Sequence, residues 1–332
     1  MLAIMFGIGE LALRRGIIIA SPYLRWVPEV ASGGPGPRIL ILGDSFFTRR
    51  AGHKDLQSEL YGQLRGSGAR IMNPSRPGIG PYQYLELLIE ATPRFHPDVV
   101  LLSYYVGNDV MDVGCADDVD ARLRKITTTP PPSLLARSFV AQHLGSIGRE
   151  YVVRHPPLDW ASLEAAGIPK EDVARARAFE VNPHVLVLGA ARPDYFRDAL
   201  LIESECVRRA WANTQRVLDE ILRRSASARA LVVPVIHPHT LQISTLHHDL
   251  YRRWKIKVDP SMLESRRPQA ALLRYFKDHG IDALDLLPVF RAATTTPLYL
   301  DHDEHLAPAG EQLAAQHIAR FLREHGLVRS GG

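Results

Sequence analysis

The sequence predicts an α/β protein in which helices cover both faces of a parallel sheet of about five strands. Short apolar runs suited to β-strands recur along the chain, at 38–42, 69–72, 98–105, 229–236 and 281–287. Stretches with helical periodicity lie between several of them, at 55–65, 82–92, 199–224 and 261–279. Strands that are apolar throughout suit a sheet buried on both faces. Alternation of strands and helices is typical of a doubly wound sandwich.

The domain predicted from this alternation spans residues 38–330, and it ends in a helix over 309–323. That helix is expected because its apolar residues recur at helical spacing on one face. Residues 1–37 precede the domain and close with SGGPGP, which has the composition of a linker.

An insertion is predicted at about 111–197, where segments such as TTTPPPS and HPPLDW interrupt the alternation. Placed after the third strand, it would lie above the carboxyl edge of the sheet, where lids and binding loops are found. It is therefore expected to cap a site, although it could also be a surface excursion that only covers the sheet edge.

Composition excludes some classes of protein. The 332 residues are 46% hydrophobic and 23% charged, with a formal net charge of +4. The basic residues occur as scattered pairs between acidic ones, so nucleic-acid binding is not expected. The two cysteines, Cys115 and Cys206, are too few for a disulfide framework and lack metal-ligand spacing. They could form a single disulfide bridge with each other, and the sequence does not decide whether the protein lies in an oxidising or a reducing compartment.

The first residues, MLAIMFGIGELALRRGIIIASPYL, are apolar but are interrupted by Glu10, Arg14 and Arg15. A membrane-spanning helix needs roughly twenty predominantly apolar residues, and a secretory signal begins with a basic region. The segment could be an amphipathic surface helix, the end of an anchor that starts upstream, or a first helix that packs on the domain. It could associate with a membrane surface, and it favours a membrane-associated or extracytoplasmic location over a cytoplasmic one without deciding between them.

A serine directly follows the first predicted strand in RILILGDSFFT, residues 38–48. Gly-Asp-Ser is ordinary turn chemistry. Ser45 could instead be a nucleophile at the carboxyl edge of the sheet, where open α/β folds bind ligands. A nucleophilic serine needs a base, a group that orients the base, and donors for the developing oxyanion.

The loops after later strands contain residues of these kinds. Gly78 or Gly80 in NPSRPGIG could bring a backbone N–H close to a substrate oxygen. Asn108 in YYVGND could donate from its side-chain amide. In LDHDEH, His305 is the candidate base, with Asp303 or Asp301 to orient it. Each segment alone is compatible with a turn, but together they would form a complete set for acyl transfer.

The chain resembles the SGNH hydrolases, also called GDSL-type esterases and lipases. The resemblance rests on GDS at 43–45, the glycine at 78, GND at 107–109 and His305. It spans roughly residues 36–325, with the insertion unmatched, and it implies a flavodoxin-like α/β/α fold that hydrolyses esters or thioesters.

The resemblance also implies roles for single residues. Ser45 is the nucleophile and His305 the base, while the N–H groups of Ser45 and Gly78 and the amide of Asn108 form the oxyanion hole. No metal and no organic cofactor is implied. The expected partner is a small-molecule or glycan ester, which is the substrate.

The sequence departs from the family pattern at two positions. Phe46 stands where the family has leucine, and His302 stands three residues before His305, where the family usually has aspartate. Relatives that modify polysaccharides can place the aspartate two residues before the histidine, which is Asp303. Residues two apart in extended backbone project to the same side. We therefore expect a carboxylate oxygen of Asp303 within about 3.2 Å of Nδ1 of His305, with Glu304 and His302 projecting the other way.

Three functions follow from these residues. The leading hypothesis is a serine esterase that cleaves a carbohydrate O-acyl or lipid ester through an acyl-serine. The alternatives are an O-acyltransferase that uses the same serine on a polysaccharide, and a catalytically silent binding module. Esterase and transferase differ in how water is excluded beneath the insertion.

Other residues receive no catalytic role. His237 and His239 could suggest a metal, but no carboxylate lies near them in sequence, and lining the cleft is the preferred interpretation. His247 and His248 are expected to face solvent. Tyr195 and Phe196, together with Trp160, could line an acyl pocket or form the packing core of the insertion.

Overall fold

The computed structural model describes residues 30–31, 36–48, 55–128, 159–178, 180–293 and 297–329. Its sheet has the strand order β1-β3-β2-β4-β5-β6. The strands are β1 (Val30–Ala31), β2 (Arg38–Leu42), β3 (Arg70–Met72), β4 (Val99–Tyr105), β5 (Leu231–His237) and β6 (Leu284–Asp285). Strands β2 to β6 pair in parallel, which confirms the predicted sheet. The short β1 pairs antiparallel with β3 at the edge, in a stretch where no strand is predicted.

Helices cover both faces of this sheet. In chain order they are α1 (Leu56–Gln63), α2 (Pro81–Phe95), α3 (Asp109–Val113), α4 (Val119–Thr128), α5 (Trp160–Ala165), α6 (Lys170–Arg177), α7 (Pro183–Ala191), α8 (Tyr195–Leu201), α9 (Glu205–Ser227), α10 (Thr245–Arg253), α11 (Arg267–Asp278), α12 (Leu287–Ala292) and α13 (Pro308–Glu324). The predicted helix at 199–224 is divided into α8 and α9. It divides because Ile202 takes a left-handed conformation and the Ser204 side chain accepts from the N–H of Val207, which starts a new helix.

Two apolar cores lie on opposite faces of the sheet because side chains alternate along each strand. One core joins Leu40 and Leu42 to α2, α9, α11 and part of the insertion. The other joins Ile39 and Ile41 to α1, α12 and α13. The structure is therefore the predicted three-layer α/β/α sandwich.

The described part of the insertion is helical. It contains α3 and α4 before residue 129 and α5 to α8 from residue 160 onward, while residues 129–158 lie outside the described part. Cys115 and Cys206 form a disulfide that ties the start of the insertion to the beginning of α9. The disulfide bridge that is possible from the sequence is therefore present in the structure.

The N-terminal segment lies largely outside the described residues, so the proposed boundaries at 37 and 38 and its association with a membrane stay predictions. Within the described ranges, no helix has both the length and the apolar character needed to cross a membrane.

Candidate active site

The turn that carries Ser45 presses closely onto β4. Ser45 begins a short 3-10 turn, Ser45–Phe47, directly after Gly43 and Asp44. A Cβ at Gly43 would stand 2.8 Å from the Cβ of Ser103, in the middle of β4. Only glycine allows this approach, so Gly43 lets the turn that carries Ser45 lie close to β4.

Asp44 connects the ends of β2 and β4. Its buried carboxylate accepts from the N–H of Phe46 at 3.0 Å and from Nδ2 of Asn108 at 3.4 Å. An amide nitrogen carries two hydrogens, so the second one remains for a substrate oxygen. Burial raises the pKa of Asp44 to about 6, against the lowering effect of these hydrogen bonds. From the sequence, Asp44 is expected only as part of a turn, and its contact with Asn108 is a property of the folded structure.

The loop before α13 brings Asp303 and His305 together. Oδ2 of Asp303 lies 2.8 Å from Nδ1 of His305, and both side chains are mostly buried. The contact has the length expected from the sequence. Asp301 instead contacts Nδ1 of its neighbour His302 at 2.7 Å and is 82% exposed.

This loop lies beside the turn that carries Ser45. The ring centroid of Phe46, the residue after Ser45, is 5.8 Å from that of His305. The charge of His305 also lowers the pKa of Asp44, which precedes Ser45. The nucleophile candidate and the base candidate are therefore at the same sheet edge.

Side chains from elsewhere hold the histidine loop. Nδ2 of Asn182, at the start of α7, donates to Oδ1 of Asp303 at 3.1 Å. Nε2 of His247 lies 2.7 Å from the carbonyl oxygen of Leu300. The expectation that His247 and His248 face solvent is wrong, because both rings are buried and each bonds a backbone carbonyl. Asn182 has no predicted role, although Asn-Pro at a helix start is a signal for a capping position.

Gly78 follows β3 on the same edge of the sheet. It is exposed, and its φ of +68° belongs to the region that favours glycine. None of the hydrogen bonds between described residues joins it to Ser45 or Asn108, so its part in an oxyanion hole stays a prediction.

His237 and His239 lie at the end of β5 and are fully buried, which lowers the pKa of each ring to about 3. Across the described ranges, no group of three or more His, Cys, Asp or Glu side chains could hold a metal ion. Phe196 is buried with its ring centroid 4.4 Å from that of His239, so this residue of the insertion packs at the site.

Glu304 projects away from Asp303 and His305 as expected, but the side it faces is the protein interior. Its side chain is 19% exposed, and its Oε2 lies 3.8 Å from Nε2 of His239. Burial raises the pKa of this carboxyl to about 7. Alternation along extended backbone predicts the direction of the side chain, but not that the side chain enters the protein interior.

A serine at the end of the first parallel strand and an Asp-His pair before the last helix define the class of SGNH hydrolase-like folds. Residues 210–331 match a family model described as the SGNH hydrolase-like domain of the acetyltransferase AlgX. The match includes Asp303 and His305, and it confirms the resemblance to this superfamily. No curated protein matches the chain.

Solved structures of similar fold include a lipase/acylhydrolase from Enterococcus faecalis. It is 12% identical with a TM-score of 0.42, and the alignment covers 88% of this chain and 97% of that one. A catalytic mutant of an acetylxylan esterase from Geobacillus stearothermophilus is 14% identical with a TM-score of 0.44. That alignment covers 90% of this chain and 99% of the other.

Proposed function

We propose that the protein is a serine esterase that cleaves a carboxylic ester of a carbohydrate or lipid through an acyl-serine. The observation that carries the proposal is the 2.8 Å contact between Asp303 and Nδ1 of His305, in a loop beside the turn of Ser45. A carboxylate at Nδ1 keeps the proton there and leaves the lone pair of Nε2 free to act as a base.

In the acylation step, Oγ of Ser45 attacks the ester carbonyl carbon while Nε2 of His305 takes the hydroxyl proton. The carbonyl oxygen becomes an oxyanion, for which the N–H groups of Ser45 and Gly78 and the Asn108 amide are the proposed donors. The intermediate then collapses. The alcohol leaves with the proton from His305, and the acyl group remains on Ser45.

In the second step, His305 takes a proton from water, and the resulting oxygen nucleophile attacks the acyl-serine. The carboxylic acid leaves, and the proton returns to Oγ of Ser45. Asp303 stays ionised throughout and balances the positive charge that His305 carries in each transition state.

The second candidate is an O-acyltransferase, in which a polysaccharide hydroxyl replaces water in the second step. The family match over residues 210–331 favours it, because that family is described by an acetyltransferase. The silent binding module is not proposed. The absence of an aspartate three residues before the histidine would favour such a module, but Asp303, two residues before it, contacts Nδ1 of His305 at 2.8 Å.

Fluorophosphonate labelling followed by peptide mass analysis tests the proposal. We expect a single modified peptide that contains Ser45 and no labelling of the Ser45→Ala variant. An unlabelled wild-type protein that is folded would refute the serine mechanism. Incubation with an acetyl donor and an oligosaccharide then separates the two candidates, because an esterase releases acetate and a transferase yields acetylated oligosaccharide.

We also propose an extracytoplasmic location. The Cys115–Cys206 disulfide supports it, because disulfides persist in oxidising compartments and are rare in the cytosol. The N-terminal segment 1–37 is proposed to hold the protein at a membrane surface. Fractionation of cells that express the full chain tests both: recovery in the soluble cytoplasmic fraction, with free thiols, would contradict them.

A further inference from the structure

A second carboxylate stands beside the proposed base. Glu304 lies between Asp303 and His305 in the chain, and its side chain enters the protein at the end of β5. Its Oε2 is buried and makes no hydrogen bond to any residue that the structure describes. Burying a carboxylate without a hydrogen-bond donor costs free energy. A group near Glu304 is therefore expected to stabilise its charge.

A hydrogen-bond donor close to that carboxylate is Nε2–H of His239, and the hydrogen bonding of this ring fixes its tautomer. Its ring is fully buried, and its Nδ1 accepts from the backbone N–H of Leu241 at 3.0 Å. A neutral imidazole that accepts at Nδ1 carries its proton on Nε2. This Nε2–H faces Oε2 of Glu304 at 3.8 Å, so a small movement would close a hydrogen bond.

Aromatic rings hold His239 in this orientation. Its ring centroid lies 5.8 Å from that of Tyr105, in a stacked arrangement, and 5.9 Å from that of Tyr251. The ring centroid of Phe196 lies 4.4 Å from that of His239, on a further side of the ring. Because these rings come from β4, α10 and α8, the donor is fixed by three elements and is not free to turn away.

We propose that Glu304 is a positioning residue for His305, an inference that rests on the proposed function. Its carboxylate, attracted by Nε2–H of His239, anchors one side of the turn, while Asp303 contacts His305 on the other. Its negative charge also stabilises His305 when that ring holds the proton taken from Ser45. No bond to the substrate is involved, and Asp303 remains the group at Nδ1.

Other charged and titratable groups face Glu304 from the elements packed around it. They are Asp44 after β2, Tyr105 of β4, Asp112 of α3, His184 of α7, Tyr195 of α8, His239 after β5, Tyr251 of α10, and Asp303 and His305 on its own loop. Burial raises the pKa of Glu304 to about 7, and the positive charge of His305 opposes this rise. Glu304 is therefore neutral in acid and ionised in alkali, while burial holds the pKa of His239 at about 3 and keeps it neutral in both.

The first test compares rates of fluorophosphonate labelling of Ser45 at about pH 5.5 and about pH 8.5 in the wild type and in Glu304→Gln. At the lower pH the side chain at position 304 is neutral in both proteins, so their labelling rates should agree. At the higher pH the variant should react roughly tenfold more slowly, since it lacks the charge. Asp301→Asn, an exposed carboxylate in the same turn, should match the wild type at both. An equal loss at both pH values, or none at either, would overturn the proposal.

A second measurement does not depend on activity. In ¹⁵N-histidine NMR spectra, the Nε2 signal of His239 should shift with a midpoint near pH 7 in the wild type and stay flat in Glu304→Gln. If this shift is present but Ser45 is not labelled in the wild type, the proposed function fails while the Glu304–His239 contact stands. If the wild-type signal is flat, the contact and the positioning role are both wrong.

Discussion

The two halves of the candidate site differ in how far they depend on side chains from other parts of the chain. Ser45 and Asn108 follow β2 and β4, which pair residue by residue from Ile39–Val99 to Leu42–Leu102. Asp303 and His305 lie in a loop whose one described strand-like contact is the isolated bridge between Tyr299 and Leu306. Strand pairing places the first half. The second half is held by backbone hydrogen bonds within its own loop, such as Leu300 N–H to the carbonyl of His305 at 2.9 Å, and also by side chains at the start of α7 and in α10.

This difference has a consequence for mutations. Backbone hydrogen bonds are independent of side-chain identity, so the strand ends keep their positions when neighbouring side chains change. The histidine loop has backbone hydrogen bonds of its own, but it also depends on the side chain of Asn182, which bonds Asp303, and on that of His247, which bonds the carbonyl of Leu300. Substitutions far from the chemistry should therefore affect the loop half more than the strand half.

The largest expected effect is that of Ser45→Ala in the strand half. The variant should lose roughly 10⁴-fold or more in turnover of short p-nitrophenyl esters, because no other group can form the acyl intermediate. Its melting temperature should stay close to that of the wild type, since the position is fixed by the backbone. Residual activity of more than a trace would show that Ser45 is not the nucleophile.

Asp303→Asn should come next and tests the loop half. The amide would favour the wrong tautomer of His305, and comparable changes cost about 10⁴-fold in kcat. Asp301→Asn serves as the matched control, because Asp301 contacts His302 and is largely exposed. Measurement of kcat for both variants decides the matter: similar losses would mean that Asp301 and Asp303 exchange roles in solution.

Asn108→Ala returns to the strand half. We expect kcat to fall about 10²–10³-fold with a modest change in KM, because the donor matters most when the substrate oxygen is charged. Steady-state kinetics on a p-nitrophenyl ester measure both parameters. A change in KM alone would make Asn108 a substrate-binding residue instead.

Asn182→Ala should have a smaller effect. It tests whether a residue outside the histidine loop contributes to catalysis through Asp303. Loss of its hydrogen bond to Asp303 should lower kcat roughly tenfold, the worth of one such bond. Asn213→Ala is the control, since the side-chain hydrogen bonds of Asn213 to described residues go to the backbone carbonyls of Gly114 and Ala116. If both variants lose the same activity, helix capping or general destabilisation explains the result and the loop contact does not.

The last expected effect concerns stability and pH and not activity. The pKa of Glu304 rises from 4.5 to about 7 on folding, so the folded protein keeps a proton that the unfolded chain releases. Its contribution to stability is present below pH 4.5 and is lost as pH rises through about 7. Glu304→Gln should therefore lose less stability than the wild type between about pH 5 and about pH 8, a difference on the order of 2 kcal/mol. Parallel slopes of melting temperature against pH would contradict this.

The sequence predicts the fold well because the strands are apolar throughout. The predicted 38–42 coincides with β2, and 82–92 and 309–323 fall within α2 and α13. The predicted strand at 281–287 shrinks to Leu284–Asp285 because only Val235 and Ile236 of β5 pair with it. Both residues of β6 are only half-buried, so this edge strand carries a weaker apolar signal than the fully buried β4.

The candidate site is less predictable than the fold. Strand ends reveal Ser45 and Asn108 because topology brings them to one edge, and short-range geometry selects Asp303 over Asp301. Asn182 and His239 are separated from His305 by long stretches of chain, and no local pattern links them to it. Their roles depend on how the insertion and α10 pack, which is a property of the three-dimensional structure.

The disulfide between Cys115 and Cys206 closes a loop over a sequence separation of 91 residues and holds most of the insertion at its neck. Closing a loop of this length restricts the unfolded chain by about 4–5 kcal/mol. Ser45 and Asn108 lie before the neck, and Asp303 and His305 lie after it. The sequence between the two cysteines can therefore change, or the whole segment can be replaced, while the strands of the sheet keep their register. A constraint on such changes is Asn182, a described residue of the enclosed segment whose side chain bonds Asp303 outside it.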